Sequence, residues 1–286
     1  MFLRYSTSRL VVVTMAFLAL LLLSCGGNES NRHAAVSVSN PAMGYFVSRL
    51  LPDTVMVNVL IPQGADHDTY TPRPSQLASL GNSATYLAYG PLEFEITWRE
   101  RLTDAAPSMQ WQDMSNGITL IGDSTHGIDP HYWLSPKQAK RMADNIAHAT
   151  KNVYPTLSGY VDSALVSLES DIAHIDSLMS SVATTHPGLT FVIYHPALGY
   201  LARDYGMRQL SVAQEGVSPQ PRRYAELADS AREAGARVFF IQAGTTPDRV
   251  RATAEEIGAK VVSITPEGDD WMATMTAIAE ALRSNE

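Results

Sequence analysis

The stretch TLSGYVDSALVSLESDIAHIDSLM, residues 156–179, stands between two halves of the chain that follow the same pattern. Its apolar side chains recur every three or four residues from Leu157 to Leu178, which predicts one apolar stripe on a helix of about six or seven turns. Such a helix could cover one face of a single domain. The new round of strand-like and helix-like segments that begins after it favours a helix that joins two domains.

Strand-like and helix-like segments alternate on both sides of that stretch. The predicted strands are residues 34–39, 55–60, 84–89 and 118–121 in the first half and 190–194, 208–212, 238–242 and 260–264 in the second. The predicted helices are residues 41–51, 136–154, 197–205, 220–234, 247–257 and 270–283, with Gly206, Gly235 and Gly258 at expected C-caps. Such alternation implies parallel sheets, which bind ligands beyond the carboxyl ends of their strands. We therefore predict an α/β fold of two lobes with parallel central sheets, joined by a long rigid helix.

The amino terminus has the features of an export signal. Arg4 and Arg9 precede an apolar run from Leu10 to Leu23, which is too short and wrongly flanked for a stable membrane span. The ending Leu22-Leu23-Ser24-Cys25 resembles a bacterial lipobox, in which the cysteine becomes the lipidated first residue of the mature chain. Ordinary signal cleavage beside an incidental cysteine is the alternative. Cys25 is the only cysteine, so no internal disulfide can form.

These features divide the chain into five segments. We predict a signal peptide at 1–24, a flexible tether at 25–33, a first α/β lobe at 34–155, the linking helix at 156–183 and a second α/β lobe at 184–286. The signal holds two arginines and no acidic residue, so the mature chain carries 19 basic and 29 acidic residues, a formal charge of −10. This charge and the lack of a basic patch argue against nucleic-acid binding.

Three histidines stand in separate motifs, each near the predicted end of a strand or in a loop. His67 lies in GADHDTY (64–70), His131 in DPHYWL (129–134) and His195 in YHPALGY (194–200). Neutral imidazole is the commonest protein ligand for zinc-like ions, and three ligands from distant loops can build a nearly closed site. The pattern favours capture of a metal ion over turnover of a substrate.

Four motifs occur in order along the mature chain: GADHDTYTPRPS (64–75), DPHYWLSP (129–136), YHPALGYLARDYG (194–206) and QEGVSP (214–219). Together with the lipobox they resemble the metal-binding lipoproteins of bacterial ABC importers, the zinc/manganese solute-binding family. The resemblance implies a metal site in the cleft between the lobes and delivery to an ABC permease in the inner membrane. It also implies a monomer that is held at the membrane by its lipid, in a periplasmic or cell-surface position. Manganese-selective relatives usually carry glutamate at the position of His195, so this chain favours Zn²⁺ over Mn²⁺.

The first histidine is one residue out of the family's frame. In most relatives the loop histidine lies two residues before the position of Tyr70, where this chain has Asp68. Neighbours in an extended segment point in opposite directions, so the shift matters unless the loop adjusts. Either residue could ligate. We favour His67, because Zn²⁺ prefers nitrogen in such sites, and keep Asp68 as a co-ligand.

The fourth ligand also departs from the family. Relatives commonly use an aspartate just after the last strand and before a proline, where this chain has Thr265-Pro266. Neutral threonine is a poor zinc ligand, so Glu267, Asp269, Asp270 or a water could take its place. Glu267 is our choice, since Asp270 also suits the N-cap of the last helix.

Three further side chains are expected to assist the site. Gln242 lies where relatives often carry glutamate and is expected to support the ligands, and His126 could recruit metal. Glu215 is expected to hold the lobes together or to contact the permease. Two other functions stay open, a zinc hydrolase with water in the fourth position and a surface adhesin with a structural metal. The chain has neither a His-Glu-x-x-His helix nor a Gly-x-Ser-x-Gly elbow, so we expect a receptor and not an enzyme.

Overall fold

Two four-stranded parallel sheets form within residues 33–123, 127–213, 221–242 and 248–284, the parts of the chain that the computed structural model describes. The first sheet contains β1 (His33–Val38), β2 (Val55–Val59), β3 (Ser83–Ala88) and β4 (Gln110–Asp113) in the order β2-β1-β3-β4. A short antiparallel hairpin of β5 (Ile121–Asp123) and β6 (Gly127–Asp129) follows. The second sheet contains β7 (Thr190–Ile193), β8 (Arg208–Ser211), β9 (Val238–Gln242) and β10 (Lys260–Ile264) in the order β10-β9-β7-β8. The predicted α/β class is confirmed.

Helices connect the strands and cover the sheets. They are α1 (Pro41–Leu50), α2 (Pro74–Ser79), α3 (Glu93–Ala105), α4 (Pro136–Val153), α5 (Ser158–Thr185), α6 (Gly199–Asp204), α7 (Pro221–Glu233), α8 (Asp248–Ile257) and α9 (Trp271–Arg283). Asp270 caps α9 by accepting a hydrogen bond from the backbone N–H of Ala273 at 2.8 Å, as predicted. The predicted C-cap glycines Gly206, Gly235 and Gly258 have φ of 64°, 66° and 66°. In the described ranges, no helix combines the length and apolarity needed to cross a membrane.

The long helix α5 contributes side chains to the same apolar core as both sheets. It spans 28 residues, beginning two residues after the predicted start at residue 156 and ending two residues after the predicted end of the linking helix at residue 183. The stripe residues Val161, Leu168, Ile172 and Ile175 are buried. The helix packs against α1 and α4 from the first half of the chain and against α9 from the second. One continuous apolar cluster therefore contains side chains of both sheets.

Several elements of the first half were not predicted correctly. Residues 118–120 form no strand; the fourth strand of the sheet is β4, and residue 121 begins the hairpin with β6. Helices α2 and α3 were missed. The sequence of β4, Gln-Trp-Gln-Asp, contains no apolar run because it is an edge strand with partly exposed side chains. Its one large apolar residue, Trp111, stacks on Tyr86 with ring centroids 4.4 Å apart.

A buried carboxylate fixes the carboxyl end of β3. The side chain of Glu95 is 1% exposed and accepts hydrogen bonds from the backbone N–H groups of Tyr89 at 2.9 Å and Gly90 at 2.8 Å. The hydroxyl of Ser39, at the end of β1, also donates to it. Burial raises the pKa of Glu95 to about 7, and these three donors only partly oppose the effect.

The pKa of Glu95 makes stability depend on pH. Because the folded-state pKa is raised, the contribution of Glu95 to stability is fullest below its ordinary pKa and is lost as pH rises towards 7. We expect the free energy of unfolding of the wild type, relative to Glu95→Gln, to fall by about 2 to 3 kcal/mol between about pH 5 and 8. Urea unfolding of the metal-free protein measures this difference. The exposed Glu93→Gln should show no such trend, and a flat Glu95→Gln comparison would contradict the assignment.

Candidate metal centre

The three motif histidines meet at the carboxyl ends of the two sheets. His67 lies in the loop after β2, His131 follows β6, and His195 comes two residues after the end of β7. One ring nitrogen from each lies within 4.8 Å of those of the other two. His67 and His131 are 2% and 1% exposed, and His195 is half-buried. A cavity of about 350 Å³ opens beside His67 and His195.

The spacing of the imidazoles suits one small ion. Zinc–nitrogen bonds of about 2.0–2.1 Å in tetrahedral geometry separate two ligand nitrogens by about 3.3 Å. The Nε2 atoms of His131 and His195 are 3.2 Å apart. The Nε2 of His67 is buried and has no hydrogen-bond partner among the described residues. A buried polar atom without a partner is costly, so this nitrogen is suited to binding an ion.

The Asp129 carboxylate orients His131. Its Oδ1 lies 2.8 Å from His131 Nδ1 and accepts the His131 backbone N–H at 2.9 Å. Because the Asp129 carboxylate contacts Nδ1 of His131, the Nε2 of His131 faces the other two histidines. The Tyr200 hydroxyl donates to the Asp129 carbonyl at 2.6 Å and accepts the N–H of Ile121 at 3.0 Å. Asp129 was not predicted as a site residue; an aspartate two residues before a candidate ligand was the available signal.

Helix α6 ties the His195 loop to the His131 segment. Asp204, at the end of α6, accepts hydrogen bonds from Ser135 Oγ at 2.6 Å and from Gln138 Nε2 at 2.7 Å. Arg203 donates to the Thr119 carbonyl at 2.6 Å. These contacts and the Tyr200 hydrogen bonds connect α6 to both ends of the segment that carries His131. The two histidines are therefore held in one bonded frame.

Two tryptophans hold the loop after β10 against the same segment. Trp133 Nε1 donates to the Pro266 carbonyl at 2.9 Å, and Trp271 Nε1 donates to the Trp133 carbonyl at 2.7 Å. Both indoles are buried. Neither tryptophan was predicted to have a role at the site. Their hydrogen bonds bring Glu267, which follows Pro266, to the histidine cluster.

Carboxylates flank His67 at both ring nitrogens. Glu267 Oε1 lies 2.5 Å from His67 Nδ1, and Asp68 Oδ1 lies 3.4 Å from His67 Nε2. Burial lowers the pKa of His67, but the Glu267 carboxylate, together with Asp68 and Asp66, outweighs it and raises the pKa to about 9. Without metal, His67 is therefore protonated at neutral pH. A bound ion must replace one of its protons.

The pKa of His195 changes in the opposite direction, because burial dominates there. Burial lowers the pKa of His195 to about 3, and the nearby His131 and His67 lower it further. The His195 imidazole is therefore neutral at physiological pH, the form in which histidine binds metal ions. Burial raises the pKa of the Asp68 carboxyl, while His67 opposes this effect.

Comparison with known proteins identifies the family of the chain. Residues 36–285 match the model of the family described as zinc-uptake complex component A, periplasmic. The chain belongs to this family. The high-affinity zinc uptake system protein ZnuA of Bacillus subtilis strain 168 is 27% identical over 88% of this chain and 86% of its own length. A crystal structure of ZnuA superposes with a TM-score of 0.82 at 30% identity, covering 89% of this chain and 100% of that one. A zinc-bound deletion mutant of ZnuA gives 0.80 at 30% identity, covering 88% and 97%.

The other predicted site residues of this zinc-uptake family member fall into two groups. Gln242, at the end of β9, lines the cavity together with Thr265 and Glu267. Cys25, His126 and Glu215 lie outside the described residues. The structure thus brings His67, His131 and His195 together, with Asp68 and Glu267 in contact with His67 and Gln242 in the cavity wall.

Gly199 leaves room for the carboxylate that orients His131. A Cβ at this position would lie 2.7 Å from Asp129 Oδ2, closer than ordinary van der Waals contact. We expect Gly199→Ala to displace Asp129 and to lower Zn²⁺ affinity by about 10-fold or more, as loss of a ligand's supporting partner does. Competition with a chromogenic chelator measures the affinity. Gly159→Ala in α5 is the control because a Cβ there meets no atom within 4 Å; equal affinities of the two variants would contradict the role of Asp129.

Proposed function

We propose that this protein is the extracytoplasmic receptor of an ABC importer, which captures Zn²⁺ and delivers it to the permease. The observation that carries the proposal is the convergence of one nitrogen from each of three histidines within 4.8 Å, two of them on deeply buried side chains. The family match over residues 36–285 supports zinc as the cargo. The comparisons match transport proteins and give no support to a hydrolase or an adhesin.

His67, His131 and His195 are the proposed ligands, with a carboxylate oxygen completing the site. Three imidazoles favour Zn²⁺ over Mn²⁺, because harder Mn²⁺ prefers oxygen donors. The clustered histidines bind a cargo ion that must later be released, so the protein acts by holding and transferring zinc and not by turning over a substrate. We propose that it works as a monomer with an ABC permease as its partner.

We also propose that Cys25 carries the lipid anchor. The supporting observation is the sequence Leu22-Leu23-Ser24-Cys25 after the apolar run of the signal. The tether of residues 25–33 would then connect the lipid to β1, which begins at His33. Such an anchor keeps a receptor near its permease and raises its effective concentration there.

Removal of a single histidine ligand tests the proposed function. We expect His131→Ala and His195→Ala each to lower Zn²⁺ affinity by more than about 100-fold, because a lost ligand costs more than a lost supporting contact. Chelator competition and calorimetry on the lipid-free protein measure affinity and stoichiometry. His148→Ala is the matched control, since His148 is exposed on α4. Unchanged affinity in both ligand variants would exclude this site as the zinc site.

A separate experiment tests the anchor. We expect the wild type to incorporate labelled palmitate and to remain in the membrane fraction, and Cys25→Ser to lose both properties because serine cannot form the thioether. Gly26→Ala should behave as the wild type. A Cys25→Ser protein that still carries label and remains with the membrane would contradict the anchor without bearing on zinc binding.

A further inference from the structure

The cavity beside the three histidines is larger than a bare zinc ion needs. Its volume is about 350 Å³, whereas one water molecule occupies about 30 Å³ in the liquid. An ion that is held by side chains alone fills a space of atomic size. Pockets that take small organic ligands measure about 300–1,000 Å³, so this cavity falls within the range of small-molecule sites.

The three histidines lie to one side of this cavity. His67 and His195 line it, whereas His131, whose side chain is 1% exposed, is not part of the described wall. An ion held by one nitrogen from each of the three would therefore lie at the wall of the cavity, and the remaining space would adjoin the ion. A second molecule in that space could bind the ion directly.

Other parts of the wall offer polar groups without protein partners. Gln242 ends β9 and Thr265 follows β10, and both are half-buried. Neither the Gln242 amide nor the Thr265 hydroxyl forms a hydrogen bond with another described residue. The Oε1 of Glu267 is also buried without a hydrogen-bond partner in the described ranges, although it contacts His67 Nδ1 at 2.5 Å. A few such groups in a small cavity can orient a polar ligand.

The charge of the wall favours one class of ligand. Asp66, Asp68 and Glu267 line the cavity, and its described lining includes no lysine or arginine. A complex of Zn²⁺ with citrate is anionic, so these carboxylates would repel it in a partly enclosed space. A complex of Zn²⁺ with free histidine is cationic and presents N–H groups, which the carboxylates attract and can accept.

We propose that the cavity admits zinc as a chelate with a small amino acid that binds it through amine and imidazole nitrogens, as free histidine does. The chelator keeps its bonds to the ion, and the three protein imidazoles replace water molecules on the ion's other side. Zinc can take five ligands, so two chelator nitrogens and three imidazoles complete its coordination. The chelator then takes the position that a carboxylate fills on the bare ion.

The Thr265 hydroxyl and the Gln242 amide donate to the carboxylate of this chelator. Both groups are donors, and the described lining offers the chelator's carboxylate no cationic partner. This inference rests on the proposed zinc site and names the form in which the cargo enters it.

Equilibrium dialysis with radiolabelled free histidine distinguishes binding of the chelate from binding of the bare ion. We expect the zinc-loaded, lipid-free wild type to retain about one histidine per zinc ion, because both occupy one site. The zinc-free protein should retain none, and radiolabelled citrate should not be retained with zinc. A receptor for the bare ion gives a different result, since free histidine would only compete with it for zinc.

Thr265→Val tests the wall without changing a proposed ligand. We expect this variant to lower the affinity of the zinc-loaded protein for histidine by about 10-fold, the effect of one hydrogen bond to a charged group. Its Zn²⁺ affinity in histidine-free buffer should equal that of the wild type. Thr54→Val is the matched control and should change neither affinity, since Thr54 is exposed before β2, at the opposite end of the sheet from the histidines.

The proposal is overturned if the zinc-loaded wild type retains no histidine, if it retains citrate equally well, or if the zinc-free protein retains histidine to the same extent. Equal histidine affinities of Thr265→Val and Thr54→Val would contradict the assigned orientation of the chelator. A wild type that binds no Zn²⁺, with or without histidine, would instead overturn the proposed function.

Discussion

The hydrogen bonds at Trp133 are the interaction on which the site depends. This buried indole lies against Tyr89, the residue after β3, with ring centroids 4.3 Å apart, and against His131 at 5.2 Å. Its N–H holds Pro266, and its carbonyl accepts from Trp271. An indole buried on all sides needs a partner for its N–H, so the loop after β10 is fixed by the same side chain that supports His131. Glu267 reaches His67 as a result.

Burial makes the imidazoles suitable for binding a metal ion. It also costs free energy, unless a nearby charge or a bound ion compensates for the lost hydration. Desolvation disfavours a charged ring, which keeps His195 neutral. At His67 the Glu267 carboxylate reverses that effect. The protein thus places one neutral imidazole and one protonated imidazole around the same point, together with the Asp129-supported ring of His131. At the proposed site, a divalent ion would compensate the facing carboxylates once it displaced the proton, so binding would be coupled to proton release.

Much of the architecture could be predicted because its strongest signals are periodic. The long apolar stripe predicted helix α5, and the apolar runs predicted the strands of the second sheet, with boundaries correct to within a few residues. The edge strand β4 was missed because its residues 110–113 are polar and partly exposed, so its place in the sheet depends on tertiary contacts such as Trp111 on Tyr86. His131 and His195 were recognisable from their motifs. Asp68 and Glu267 contact different ring nitrogens of His67. Which nitrogen each one contacts depends on a turn and on a loop held by tryptophans, and no local sequence pattern encodes either feature.

The contacts around the three histidines divide them into two kinds. His131 and His195 share a frame, since Tyr200 and Asp204 bond the helix after His195 to residues on both sides of His131. Among the described residues, the backbone hydrogen bonds of residues 65–69 remain within their own loop. The position of His67 therefore depends on its neighbours in the turn and on Glu267 across the cavity. A receptor must bind zinc firmly and still release it. The proposed site, with two framed histidines and a third on a separate loop, would meet both needs, because movement of that loop alone would change the coordination number.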